Sequence, residues 1–345
     1  MRKLVTIRKV KEIQPIENAD AIELAIVDGW HCVVKKNEFK VDDYCIYFEI
    51  DSFLPEKQEF EFLRKSSFKR MGKLQGFRLK TIRLRGQISQ GLILPMSNLK
   101  EFTEDDIISA YEQETDLSEI FGVILYDPPI PANLAGIRKG NFPIFVPKTD
   151  LERVQNYWGK RRNMETILSD TFEVTMKMDG SSATYYFTDE NGFGVCSRNL
   201  DLKESEENSF WQMAKTLSLP LKLIQNGISN IAIQGELMGP GIQGNRENFQ
   251  ELKLFVFNIY DIKYQKYVSP KDCRKICFLL GLTHAPLLTA KFKFDATMDV
   301  DSILKFAEGS SVNHAIREGV VFKSNENPGF SFKAISNQFL LKEKD

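Results

Sequence analysis

Lys177 is the residue of this chain best placed for covalent chemistry. It ends the β-prone run Glu173-Val174-Thr175-Met176 and precedes Met178-Asp179-Gly180-Ser181-Ser182. Asp-Gly supplies a turn, since Gly reaches backbone conformations that other residues avoid. A lysine held by rigid neighbours becomes a nucleophile when desolvation or nearby charge removes its proton. Alone, Lys-x-Asp-Gly reads first as a solvated hairpin turn. Later residues weigh against that reading: Arg198 and Asn199 after a strand, Glu236 in Gln234-Gly235-Glu236, and the pair Glu318 and Lys323 bracketing Gly319-Val320-Val321-Phe322. If the last two strands pair, positions 321, 323, 331 and 333 fall on one face, which brings Lys323 and Lys333 together over a cleft. Such lysines repel unless an anion or carboxylates lie between them, and a triphosphate meets that need. Otherwise they read as unrelated surface lysines on edge strands.

The elements that must hold these residues can be read in chain order. Residues 1–55 are short strands, at 3–10, 21–27, 30–34 and 44–50, with Pro55 closing the run. Residues 56–75 read as helical and basic, and 76–95 return to strand. Closely spaced strands with turns predict a small five-stranded barrel over residues 1–100. Lys80-Thr81-Ile82-Arg83-Leu84-Arg85 alternates, so one face is basic and the other can be buried. Arg78, Lys80, Arg83 and Arg85 could touch phosphates there, against the plainer reading of a solvated strand face.

Residues 100–145 form a connector, with an acidic helix start at 101–106 and the irregular Asp127-Pro128-Pro129-Ile130-Pro131. Thr149 or Asp150 can cap a helix. Strand, turn and strand follow over 171–187, then a strand at 192–199. A helix lies within 203–227, interrupted at Pro220. Strands at 231–237 and 252–261 flank a flexible loop at 239–245. Helices over 270–280 and 298–307 precede strands at 318–323 and 330–335, and residues 340–345 are a charged tail. The resulting domains are 1–110, a connector over 111–141, and 142–345.

Composition narrows the function classes. Forty-six basic and 47 acidic residues leave a formal net charge of −1, so a nucleic acid would need a local basic surface. Cys32, Cys45, Cys196, Cys273 and Cys277 are odd in number and form no CxxC, which points to reduced thiols. His31, His284 and His314 are too few and too far apart for a histidine metal site. No apolar run approaches a membrane span, and no signal peptide is evident, so a cytoplasmic protein without a membrane partner is expected.

The ordered set of motifs resembles the covalent nucleotidyltransferases, the polynucleotide ligases and RNA capping enzymes. Lys177-Met178-Asp179-Gly180 matches their nucleophile motif, and Ser197-Arg198-Asn199 the ligase motif that follows. Glu236 matches the acidic motif, Phe255-Val256-Phe257-Asn258 the base-binding strand, Glu318 through Lys323 the penultimate motif, and Phe332-Lys333 the last. With the front barrel, the run Phe142-Pro143…Lys148-Thr149-Asp150…Arg153, and twelve residues after Lys333, the chain resembles the Naegleria- and Deinococcus-type RNA ligases. DNA ligases and capping enzymes usually carry a trailing OB domain. The resemblance implies an α+β chain: an N-terminal OB-type β-barrel, then a nucleotidyltransferase domain of ATP-grasp-like antiparallel sheets with helices.

It also implies an ATP-dependent, phosphodiester-forming RNA ligase that works as a monomer with Mg2+ or Mn2+. Its substrate would be RNA, or an RNA-containing duplex, with 3′-hydroxyl and 5′-phosphate ends. By position, Lys177 would carry AMP. Lys323 and Lys333 would stabilise the α-phosphate and leaving pyrophosphate, and Phe257 would stack on adenine. Arg198 would hold ribose or a 5′-phosphate. Asp179, Glu236 and Glu318 would engage metal-bound water, and Glu236 could instead accept from ribose. Asn199, Lys148 and Arg153 are second-rank substrate candidates, and the N-terminal barrel, through its Arg78–Arg85 strand, would bind the duplex or the strand carrying the 3′-hydroxyl. Two positions depart from the family: Ser331, where a lysine is common, and Asn258, where the strand often ends in Asp. The rival expectations are a DNA ligase or capping guanylyltransferase, and a non-catalytic OB-containing nucleic-acid-binding protein.

Overall fold

The computed structural model describes residues 2–128, 136–159 and 161–342. The chain divides into two compact units, Met1–Ile130 with Leu340–Asp345, and Pro131–Phe339.

The first unit contains β1 (Val5–Pro15), β2 (Ile22–Val27), β3 (Trp30–Lys35), β4 (Tyr44–Phe48), β5 (Ser52–Pro55), β6 (Phe68–Met71), β7 (Leu74–Arg78), β8 (Thr81–Leu84), β9 (Gln87–Gln90), β10 (Leu92–Pro95) and β11 (Ile124–Leu125). They form a five-stranded sheet in the order β10-β4-β1-β2-β3, a four-stranded sheet β11-β5-β7-β6 and the hairpin β8-β9. β1 pairs with β4 through Val5–Lys9 and with β2 from Val10 onward, with a register shift between Val10 and Glu12. Such a bulge bends a strand and sharpens its twist, so β1 serves both halves of a curled, OB-like half-barrel. Val5, Ile7, Ile46, Phe48, Leu54, Phe60 and Phe77 fill the core.

Residues 56–75 are only partly helical, at Gln58–Leu63 and Arg64–Ser67. From Phe68 the chain is a hairpin, because Phe68 and Phe77 face each other across strands and pack on the core. The basic strand is also different from the alternation. Arg78 ends β7, whereas Arg83 lies on β8, which turns back through Arg85 and Gly86, both at positive φ. Neither face of β8 is buried: Ile82 and Leu84 are exposed. Helices Glu104–Glu112, capped by Thr103 with Asp106, and Ser118–Phe121 occupy part of the connector. Ala110, Leu117, Phe121 and Val123 pack into the barrel core.

The second unit contains β12 (Arg138–Asn141), β13 (Phe172–Lys177), β14 (Ser181–Thr188), β15 (Gly192–Cys196), β16 (Leu200–Leu202), β17 (Ile231–Met238), β18 (Lys253–Asp261), β19 (Lys266–Tyr267), β20 (Thr283–His284), β21 (Leu287–Phe292), β22 (Gly319–Ser324) and β23 (Ser331–Ile335). A large sheet runs β12-β16-β15-β14-β17-β18-β19, with β20 also on β18, and a smaller one runs β21-β13-β22-β23. Helices Ser209–Thr216, Leu219–Gln225 and Pro270–Leu280 bury Trp211, Leu219 and Cys273 against Tyr185, Ile233 and Val256 of the large sheet. The helix Val300–Phe306 covers the small sheet's Phe172, Val174, Val320, Phe322 and Phe332. With period-two alternation, that leaves the opposite face of β13, β22 and β23 to the polar residues.

Lys177 does not sit in a hairpin. β13 belongs to the small sheet and β14 to the large one, and Met178-Asp179-Gly180 carries the chain between them. A Cβ at Gly180 would lie 2.4 Å from the Leu237 carbonyl oxygen and 2.7 Å from Met238 Cγ, so only glycine fits this crossing.

Four further expectations change. Neither Thr149 nor Asp150 caps a helix: Thr149 Oγ1 lies 2.7 Å from Ser182 Oγ, and Asp150 pairs with Arg198. The helix in 203–227 breaks at Ser218, at φ +51°, while Pro220 sits in the first turn of the next helix, where a missing N–H costs little. The 239–245 loop is braced, since the Asn245 side chain both donates to and accepts from the Phe249 backbone. The charged tail is helical over Asn337–Lys342. Pro129-Ile130-Pro131 and residues 343–345 lie outside the described residues.

Candidate active site between two sheets

Antiparallel register decides which side chains share the polar face of the small sheet. Lys177 is opposite Gly319, Thr175 opposite Val321, and Glu173 opposite Lys323. Val321 is in turn opposite Lys333, and Lys323 opposite Ser331. Directly opposed residues project to the same side, so Lys177, Lys323 and Lys333 occupy one face in successive rows. Gly319 is held close under β23, for a Cβ there would meet the Ala334 carbonyl oxygen at 2.1 Å.

Lys177 Nζ donates to Glu318 Oε2 at 2.5 Å, with about a quarter of the lysine side chain exposed. Burial works against the charge on Lys177, but Glu318, Glu236 and Asp179 more than offset it and hold the ammonium above the ordinary lysine pKa. Glu236 comes from β17 of the large sheet and accepts from the Gly180 N–H at 3.1 Å. Burial, opposed by Lys177 and reinforced by Glu318, pushes the Glu236 carboxyl up to about 7.

Lys323 is 6% exposed and donates to the Phe257 carbonyl. Burial lowers its pKa to about 8, against a partial counter-effect of Cys273 and Cys277. Lys333 is lowered to about 8 by burial, then by Lys177 and Arg153. Residues 152–153 add a short bridge to β23, where the Lys333 N–H donates to the Glu152 carbonyl at 2.9 Å. The two late lysines therefore share a face as expected, but Lys323 is packed into the wall and not open over the cleft.

Phe257 is the extra residue of a β-bulge, since Gly235 pairs with Val256 and Gln234 with Asn258. It stays partly exposed, whereas Phe255 is buried with Met176, Met178, Met238 and Phe249. The two aromatic rings thus have different surroundings, which simple alternation along the strand could not reveal. Arg198 and Asn199 are exposed; Arg198 pairs with Asp150 at 2.6 Å, and Asn199 Oδ1 accepts from Lys148 Nζ at 3.1 Å. Asp150 is the charged residue at this rim that sequence reasoning assigned elsewhere, and no spacing rule would have found its partner 48 residues away. Asn258 Nδ2 faces Gln234 Oε1 at 3.5 Å, and Gln234 Nε2 donates to the Pro147 carbonyl at 2.7 Å, so Asn258 belongs to a buried amide network.

Of the barrel cations, Lys80, Arg83 and Arg85 are exposed, and Arg83 Nε donates to the Leu340 carbonyl at 2.7 Å. Arg78 is committed within its unit, to Asp51 at 2.9 Å and over the Tyr126 ring at 4.5 Å. Among the described residues, no group of three or more His, Cys, Asp or Glu could hold a metal by itself, and no helix is long and apolar enough to cross a membrane. Asp179, Glu236 and Glu318 supply hard oxygen donors, which suit a divalent cation that keeps water and phosphate oxygens in its shell.

The site thus brings together a lysine paired with a glutamate, two further lysines with lowered pKa on the same sheet face, and a second carboxylate from the large sheet. An OB-fold domain model matches residues 4–96, and an RNA ligase model matches residues 170–335. A Naegleria gruberi RNA ligase mutant with AMP and Mn is 41% identical over 100% of both chains, with a TM-score of 0.84. A second mutant of that ligase, with ATP and Mn, is 40% identical over 99% of both chains, with a TM-score of 0.83. The same ligase with pyrophosphate is 41% identical over 100% of both chains, with a TM-score of 0.82. No curated protein matches the chain. The chain belongs to the ATP-dependent RNA ligases of the nucleotidyltransferase superfamily, as a relative of the Naegleria gruberi enzyme.

Proposed function

We propose that this RNA ligase joins 3′-hydroxyl and 5′-phosphate RNA ends at nicks in duplexes, as a monomer, through a lysyl-AMP formed on Lys177. The observation that carries the reading is Lys177 in contact with Glu318 on the sheet face that also bears Lys323 and Lys333.

Lys177 Nζ attacks the α-phosphorus of ATP; a nitrogen–phosphorus bond forms, the bond to pyrophosphate breaks, and the amine loses its proton. An oxygen of the 5′-phosphate then attacks the AMP phosphorus and frees Lys177, leaving a 5′-5′ adenylylated end. Finally the 3′-hydroxyl attacks that end, AMP leaves, and the phosphodiester forms. The amine must be neutral to react, yet the carboxylates hold its proton. Lys333 opposes that proton from the same face. Asp179, Glu236 and Glu318 would hold Mg2+ or Mn2+, which would supply charge neutralisation at the phosphates.

Lys323 and Lys333 meet the negative charge that builds on the α-phosphate and the leaving pyrophosphate. Phe257 packs on adenine, Arg198 and Asn199 meet the 5′-phosphate, and the barrel cations hold the duplex. Nick-sealing assays with ribose or deoxyribose at each terminus test the substrate. Sealing should need ribose on the 3′-hydroxyl strand and tolerate deoxyribose on the 5′-phosphate strand. Equal sealing of a wholly deoxyribose nick would contradict the assignment, and a dimer in sedimentation would contradict the monomer.

A further inference from the structure

The segment that delivers Glu318 is held by two charged residues from a distant loop. That loop, after β17, reaches Arg246 and Glu247. Glu247 is 2% exposed, and its carboxylate accepts from Ser311 Oγ and, at 2.6 Å, from the Asn313 N–H. Its carbonyl accepts from Asn313 Nδ2 at 3.1 Å. Arg246 Nη2 donates to the Ile316 carbonyl at 2.5 Å and to His314 Nδ1 at 2.8 Å. His314 Nδ1 also accepts from the Ile316 N–H at 3.1 Å. The next residue, Arg317, donates to the carbonyls of Phe306, Ala307 and Glu308, which end the helix Val300–Phe306. Glu318 follows at once, with Oε2 on Lys177.

Burying a carboxylate is costly unless its oxygens are satisfied. Glu247 touches none of the reacting groups, and both its oxygens are spent on residues 311–313. The same loop begins directly after the strand of Glu236, so it links the supports of both carboxylates around Lys177.

We infer that Glu247, together with Arg246, is a positioning residue for lysyl-AMP formation, and acts by fixing the 311–317 segment so that Glu318 stays on Lys177. This rests on the reading of Lys177 as the nucleophile. The brace has no counterpart in the motif set, because it acts on residues 311–316 and not on substrate.

Single-turnover AMP transfer to the full chain tests it, with ATP concentration varied. Glu247→Ala should slow the maximal rate about 100-fold, the scale of a misplaced reacting group, while half-saturating ATP moves far less. Glu247→Gln keeps one acceptor oxygen and should restore most of the rate. In a Glu318→Gln background the Glu247→Ala change should add less than about twofold, because residues that act through one another are not additive. A crystal structure of Glu247→Ala should have Glu318 displaced from Lys177. Full multiplication of the two losses, or an unmoved Glu318 in the variant structure, would overturn the inference. If Glu247→Ala does not fold, Arg246→Lys, which loses the contacts to Ile316 and His314, carries the same cycle. Labelled wild type with additive variants sinks this inference alone, whereas an unlabelled wild type sinks the nucleophile reading as well.

Discussion

At the scale of single residues, the site stores charge against burial. Lys323 has a pKa near 8 in the folded chain and an ordinary one near 10.5 when unfolded. Between these values the unfolded chain binds the extra proton, so stability rises with pH from about 8 to about 10.5. Below 8 both states are protonated and the full burial cost is present. Lys323→Met should therefore stabilise the nucleotide-free protein at pH 7 by on the order of 2–3 kcal/mol, and flatten that slope. The same change should abolish AMP transfer. Urea melts at pH 7 and pH 9.5 check the first outcome; a variant that is less stable at pH 7 would mean that the Phe257 carbonyl contact outweighs the charge. Ser331 stands opposite Lys323 and brings no second cation to that row of the sheet.

Elements matter here because two sheets, not one hairpin, carry the carboxylates and lysines. Gly180→Ala puts a methyl group against the Leu237 carbonyl and Met238 at the crossing. It should lower the melting temperature by several degrees and reduce AMP transfer at least about 100-fold, since it separates Lys177 from Glu236. A variant with unchanged melting and activity would mean that the crossing relaxes freely. Most strands were legible from β-prone runs, as were the helix starts within 101–106, at 270 and near 298. The fold's non-local facts were not. Nothing in Met178-Asp179-Gly180 says that its flanking strands belong to different sheets. Phe68 and Phe77 turned a locally helical stretch into a hairpin by packing, and the bulge at Phe257 broke the alternation expected of β18. The motif residues themselves were legible in their order. What they touch was not, because Asp150, Arg246 and Glu247 find partners 48 to 70 residues away.

In the whole molecule, labour divides between an OB-like unit and a nucleotidyltransferase unit. Lys80→Ala with Arg85→Ala should weaken binding of a nicked RNA duplex and lower its salt dependence by about one unit for each phosphate no longer neutralised. AMP transfer to Lys177 should be unaffected. Arg78→Ala should instead cost stability, since Arg78 is tied to Asp51 and Tyr126. Salt-dependent binding curves separate the two effects, and an unchanged slope in the double variant would remove these cations from the RNA surface. The central claim is covalent nucleotidyl transfer to one lysine. The most direct measurement is incubation of the purified chain with α-labelled ATP or GTP and a divalent cation, followed by denaturing electrophoresis. Label should be retained from ATP, released by pyrophosphate, and absent in Lys177→Ala. Label that survives in Lys177→Ala, or that comes only from GTP, would contradict the claim.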